Sequence, residues 1–221
     1  MNHKLRAIHQ TLGKSWRENK SFVLFIVLMC LFRSAFADWN TVPTGSMLPT
    51  IVEGDRIAVN KLAYDLRIPF THISLVKLGD PQRGDIVVFD SKAADTRLVK
   101  RVIGLPGDKV SMENNHLTIN GVAVNYEHIE TVGDGLEHLQ GVDHKVRISY
   151  PAPYGFANFS AVTVPQGHYL MLGDNRDRSS DSRVIGFVPR DEIIGRARSV
   201  IMSTNYDNYY LPRLDRFFKE L

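Results

Sequence analysis

Hydrophobic and polar positions are arranged in three ways along this chain. From Phe22 to Phe32 the residues read FVLFIVLMCLF without one polar side chain, preceded by Lys4, Arg6, Lys14, Arg17 and Lys20 and followed by Arg33. Past Asp38 the apolar runs are short, broken by Gly and Pro, and often alternate with period two, which predicts strands rather than helices. Strands are expected at Arg56–Val59, Asp85–Phe89, Leu98–Ile103, His116–Ile119, Val122–Val124, Val162–Val164 and Tyr169–Leu172. Asp191–Ala197 leads into a last strand near Ser199–Met202. Asn120-Gly121 predicts a hairpin, because both residues tolerate the positive φ of a type I′ turn. The third pattern covers residues 125–160, polar and bearing His128, His138, His144, Gly133-Asp134-Gly135 and Tyr150-Pro151-Ala152-Pro153-Tyr154. It reads as an insertion or small subdomain. The expected fold is mostly β: an antiparallel sheet or partly open β-barrel with that small subdomain, preceded by one N-terminal helix.

The N-terminal apolar run of 11 residues would extend roughly 16 Å as a helix, about half of a hydrocarbon core of about 30 Å. Continuing through Ser34, Ala35, Phe36 and Ala37 approaches a span if Arg33 snorkels and Trp39 sits at the interface. A cleaved secretory signal is the alternative, with a basic n-region, an apolar h-region and Ala35-Phe36-Ala37 as an A-x-A site. Either way the basic flank holds residues 1–20 in the cytoplasm and the following chain is exported. The anchor reading divides the chain into a basic terminus over 1–20, a transmembrane helix over 21–39 and an extracytoplasmic domain over 40–221.

Composition narrows the chemistry. A chain of 221 residues, 43% hydrophobic and 23% charged, has enough apolar material for a sizeable core and is not disordered. A net charge of +3 gives no reason to expect a nucleic-acid partner. The single cysteine, Cys30, excludes an internal disulfide, a Cys-based zinc site and a CxxC redox pair, while eight histidines leave other metal sites open. Mean hydropathy of −0.16 excludes a polytopic membrane protein.

Three segments carry candidate chemistry. Pro43-Thr44-Gly45-Ser46-Met47-Leu48-Pro49-Thr50 places hydroxyls around a glycine between two prolines. As structure alone it is a rigid turn. As chemistry, Ser46 needs a base, and no G-x-S-x-G elbow or protease-like histidine segment accompanies it. A lysine serves if it is buried enough to lose its proton. In Arg97-Leu98-Val99-Lys100-Arg101-Val102-Ile103 the alternation puts Lys100 on a face with Leu98 and Val102. An edge-strand lysine guarding against aggregation is the structural alternative. Holding a lysine of ordinary pKa ~10.4 neutral at pH 7 costs about 4.6 kcal/mol, and burial lowers such a pKa by up to about 3–5 units. The third segment, Gly173-Asp174-Asn175-Arg176-Asp177-Arg178-Ser179-Ser180-Asp181-Ser182-Arg183, fits a calcium loop poorly, because Arg176 and Arg178 stand where oxygen ligands belong. Its alternating acids and arginines suggest a loop paired within itself.

Together, PTGSMLPT, RGDIVVF, VKRVIGLPGDKV, GDNRDRSSDSR with GFVP, and GRA make the chain resemble the bacterial type I signal peptidases. These are membrane-bound Ser/Lys proteases of the S26 type that remove signal peptides from exported proteins. The likeness runs from Pro43 to about Met202. It implies Ser46 as nucleophile and Lys100 as general base, with the Thr44 hydroxyl joining the Ser46 N–H in the oxyanion hole. It implies that Ser179 hydrogen-bonds and orients the lysine, that Asp181 and Arg183 brace the site, and that Gly173 begins the same loop. It implies cleavage after A-x-A through shallow apolar pockets, for which Val42, Met47, Leu48 and Val99 are the candidates. No metal or organic cofactor is expected. The implied partners are signal-peptide-bearing preproteins and the lipid bilayer, at a bacterial inner membrane crossed once with the N-terminus cytoplasmic. The chain departs from the likeness at Arg178, where the best-known members carry Asn. It also has a short 125–160 region, without the disulfide of the larger enterobacterial second domain, and only one N-terminal apolar segment.

Two rival functions stand beside this reading. One is another Ser/Lys enzyme, such as a conjugation-pilin processing peptidase; the self-cleaving repressors are disfavoured, since no helix-turn-helix precedes Ser46. The other is a non-catalytic, membrane-tethered β-module that binds exported polypeptides.

Overall fold

The computed structural model describes residues 3–71, 73–128, 133–149 and 157–221, with side chains from residue 19 onward. The segment Tyr150–Tyr154 lies outside the described residues. The chain opens with a helix, His3–Ala35, that passes directly into a strand, Ala37–Thr41. The helix therefore ends before Trp39, which pairs with Ala58 in the sheet instead of closing the helix. Ala35 is buried and Ala37 pairs with Asn60, so the A-x-A run is built into the fold. Among the described residues no helix is both long and apolar enough to cross a membrane. The cause is local: the apolar run is short and Lys20 and Arg33 bracket it. Its side chains Phe22, Leu24, Phe25, Leu28 and Phe32 are exposed.

Short alternating runs become strands because a period of two puts every second side chain on one face. The largest sheet has the order Ala37–Thr41, Asp55–Asn60, Ile193–Asn205, Ile86–Ser91, Thr96–Gly104, His168–Leu172, Val188–Pro189, and Leu211–Pro212 adds to Ile193–Asn205. Every pairing between its strands is antiparallel. The Asp191–Met202 segment forms a three-residue 3-10 turn, Arg190–Glu192, and then one long strand, Ile193–Asn205, interrupted by register shifts. Gly195 sits where a Cβ would lie 2.6 Å from Asn60 O, so the strand passes its neighbour at a distance only glycine permits.

Within residues 125–160, Asn125–Glu127, Gly133–Leu139 and Val142–Ile148 form a separate three-stranded sheet. Phe159–Thr163 instead joins Lys109–Glu113, His116–Ile119 and Val122–Ala123 in a four-stranded sheet. The turn between the last two holds Asn120 at φ 53° and Gly121 at φ 80°, as a type I′ hairpin requires. Among the described residues three apolar clusters fill the interior. One packs Val42, Met47, Ile51, Ile57 and Val88, with Val99 against it. A second gathers Ile103, Val110, Leu117 and Leu172, and a third Val87, Phe89, Val102 and Met171, with Leu98 against it. The strand Thr96–Gly104 supplies side chains to all three clusters, and that is what carries a lysine into the interior.

Candidate active site

Lys100 lies between Leu98 and Val102 in the alternation and opposite Val87 on the neighbouring strand. Its side chain is only 2% exposed. Nζ reaches Ser46 Oγ at 2.7 Å. Burial is the largest influence on this ammonium and lowers its pKa to about 8, against the pull of Asp181 and Asp174 and with help from Arg183. Ser46 is half-buried on a 3-10 turn, Gly45–Met47. Thr44 precedes it in an extended conformation (φ −133°, ψ 153°), is exposed, and makes no capping hydrogen bond.

The 173–183 loop wraps this pair, and its bonding differs from the expectation of a loop paired within itself. Inside it Arg183 Nε reaches Asp181 Oδ1 at 2.8 Å and Nη2 reaches Oδ2 at 2.8 Å, and Arg183 also donates to Arg176 O. Asp181 Oδ2 also accepts from Gly173 N at 3.0 Å. The other charges reach outward. Asp174 takes a two-pronged grip from Arg101, at 2.8 and 2.7 Å, both residues buried. Arg176 donates to Glu137 Oε2 at 2.6 Å with both side chains fully buried. Glu137 is driven upward by burial, yet Arg176, His144 and Tyr126 hold it down to about 2. Asp177 accepts from Asn115 Nδ2 at 3.0 Å and Ser149 N at 2.6 Å. Successive side chains of an irregular loop point in different directions, so Asp174 reaches the largest sheet, Arg176 the three-stranded sheet, and Asp177 the turn at Asn115 and the Ser149 N–H. Arg178, the position that departs from the family pattern, is exposed.

Two expected roles are corrected. Ser179 is buried beside the site, but among the described residues its Oγ makes no hydrogen bond. Its hydroxyl lies against Gly173, where a Cβ would stand 2.3 Å from it and 2.5 Å from Ser46 O. Lys100 Nζ is therefore oriented by Ser46 rather than by Ser179, and Gly173 is what lets loop, serine turn and Ser179 approach one another. Val42 and Met47 belong to the core, Met47 at 0% exposure, and present no surface to a substrate. Leu48 and Val99 are half-buried and stay candidates for a pocket wall.

The residues missed by sequence reasoning are Arg101, Asp174 and Asn175. Period two places Arg101 opposite Lys100, but nothing in the sequence pairs it with a loop residue 73 positions on.

The family described as signal peptidase, peptidase S26, matches residues 15–202 of this chain. The chain belongs to the signal peptidase family, peptidase S26. Signal peptidase I of Pseudomonas fluorescens is 40% identical over 205 residues, covering 83% of this chain and 71% of that protein. Signal peptidase I of Rickettsia bellii is 33% identical over 225 residues, covering 89% and 75%. A signal peptidase I from Enterococcus faecalis of known crystal structure is 33% identical and covers 53% of this chain and 97% of its own, with a TM-score of 0.36.

Proposed function

We propose that the chain cleaves signal peptides from exported preproteins as a Ser/Lys endopeptidase, with Ser46 the nucleophile and Lys100 the general base. The observation that carries this reading is the 2.7 Å contact between a serine hydroxyl and a lysine that is 2% exposed. With a pKa of about 8, about one Lys100 in ten is neutral at pH 7, against roughly one in three thousand for an ordinary lysine. Neutral Lys100 takes the Ser46 proton as Oγ attacks the carbonyl carbon. The resulting oxyanion is received by Ser46 N–H and the Thr44 hydroxyl. Protonated Lys100 then gives its proton to the leaving amine, and water repeats the sequence on the acyl-enzyme.

The substrate enters as extended chain. Thr96–Arg101 is paired with Ile86–Ser91 on one side, while His168–Leu172 covers the other side only from Arg101 to Gly104. The open edge at Thr96–Val99 leads to Lys100 and suits strand addition by a peptide, with Leu48 and Val99 walling a shallow pocket. A shallow pocket excludes large side chains by overpacking, which supports a preference for small residues such as alanine.

The N-terminal helix anchors the enzyme, with exposed Phe22–Phe32 in lipid and Arg33 snorkelling to the headgroups. The built-in position of Ala35–Ala37 supports retention of this segment over its removal: Ala37 is paired in the sheet, and Lys61 Nζ holds the carbonyls of Arg33 and Ser34 at 3.1 and 3.0 Å. The N-terminus is cytoplasmic and the β-domain extracytoplasmic in this reading. Membrane fractionation with N-terminal sequencing tests it: an intact, membrane-bound chain is expected, and a soluble chain beginning at Asp38 contradicts it. Cleavage of a preprotein by the Ser46→Ala variant at the normal rate contradicts the dyad.

A further inference from the structure

One residue grips the peptide that carries the nucleophile from both sides. The main-chain N–H of Asn175 donates to Ser46 O at 3.1 Å. Its side-chain Nδ2 donates to Gly45 O at 2.9 Å. Asn175 is 2% exposed, and its own position is fixed by the preceding residue, since Asp174 is held by Arg101 and its carbonyl accepts from Arg147 N at 2.8 Å.

A trans peptide unit is planar, with its C=O and N–H pointing in opposite directions. Fixing Gly45 O therefore fixes the direction of Ser46 N–H. Leu48 N also donates to Gly45 O, at 3.1 Å, but that bond closes the turn on itself and leaves the turn's orientation in the molecule undetermined. The Asn175 bonds tie the turn to Asp174, thence to Arg101, the residue after Lys100. Nucleophile amide and base are set in one frame through this chain of contacts. Asn175 also leaves its Oδ1 buried without a hydrogen bond among the described residues, and a bare buried acceptor costs about 1–3 kcal/mol. An amide with half its bonding capacity idle is a poor choice for stability and an understandable one for orientation.

We infer that Asn175 is a positioning residue for the oxyanion hole: it aims Ser46 N–H at the oxygen of the tetrahedral intermediate without itself touching substrate. The inference rests on Ser46 being the nucleophile. Its test is steady-state cleavage of a synthetic A-x-A signal peptide by the full chain in detergent, comparing Asn175→Ala and the milder Asn175→Ser with wild type. Releasing the aim of the Ser46 N–H is expected to lower kcat by up to about 10²-fold, the loss that follows removal of such a donor, with KM within about twofold and the acid limb of the pH profile still near 8. A peptide aldehyde, whose hemiacetal oxygen occupies the same hole, is expected to bind more weakly by a similar factor. Thr44→Val combined with Asn175→Ala is expected to cost less than the product of the single losses, because both act on one oxygen.

Unchanged kcat in either Asn175 variant, or a loss of kcat with undiminished aldehyde affinity, overturns the inference. If Asn175→Ala does not fold, Asn175→Ser and aldehyde binding decide. Ser46→Ala run in the same assay separates the two readings. Cleavage by Ser46→Ala removes the dyad, whereas an inactive Ser46→Ala beside a fully active Asn175→Ala removes only the positioning role.

Discussion

Lys100 and Arg101 are consecutive residues on one strand, both cationic by formula and both almost completely buried, and the structure treats them in opposite ways. Arg101 faces Asp174 with two charge-assisted hydrogen bonds and a third to Gly84 O at 2.8 Å. Lys100 meets a serine hydroxyl, and among the described residues no carboxylate lies within ion-pair reach of Nζ. Asp181 and Asp174 are near enough to raise its pKa but spend their oxygens on Gly173, Arg183 and Arg101. Burial with a dedicated carboxylate keeps a cation charged, and burial without one makes a base. The carboxylates around Lys100 are sequestered by arginines, so the arginines protect the lysine's low pKa by occupying the acids.

This contrast is open to direct attack. The largest effect falls on activity: Lys100→Met removes the base and Lys100→Arg replaces it with a group that does not deprotonate, so each is expected to lower signal-peptide cleavage by at least about 10³-fold. Arg101→Met leaves Asp174 buried without the two hydrogen bonds of its arginine, and chemical denaturation should show a loss of about 3–5 kcal/mol. Lys100→Met should move stability the other way. The folded-state pKa of Lys100, about 8, lies below the unfolded value of 10.5, so between those values the unfolded chain binds more protons and stability rises with pH. The penalty is present in full below pH 8. Replacing Lys100 with Met at pH 7 is therefore expected to stabilise the fold by up to about 3 kcal/mol, a gain that disappears above pH 10.5. Destabilisation by Lys100→Met, with stabilisation by Arg101→Met, would invert the comparison.

A smaller effect separates the two regions in acid. Glu137, held at about 2, contributes stability that is present above its unfolded value near 4.5 and is lost as pH falls toward 2. Glu137→Gln should flatten that part of the stability curve. It should leave the acid limb of cleavage in place, since Lys100 governs that limb.

The sheet was largely legible in the sequence, because alternation and Asn-Gly turn chemistry are local signals: His116–Ile119 and the Asn120-Gly121 turn appear as read. Strand ends were less so. The segment Ile193–Asn205 runs through glycine and register shifts that blur its period. At the site, Ser46 and Lys100 were singled out by the likeness of their segments to the signal peptidases, and they meet although 54 positions apart. The partners of the loop charges were not readable. Whether Asp174 pairs with Arg176, two residues away, or with Arg101 depends on tertiary placement, as does the choice that puts Met47 in the core and leaves Leu48 half-buried.

The central claim is that Lys100 works uncharged. Nitrogen-15 NMR of the Lys100 ammonium, assigned by its loss in Lys100→Met and titrated in the folded enzyme, tests this most directly. The account predicts a midpoint of about 8, matched by a rise of kcat/KM through the same pH. A midpoint at the ordinary lysine value of 10.5, with cleavage unaffected by pH between 7 and 9, would contradict it.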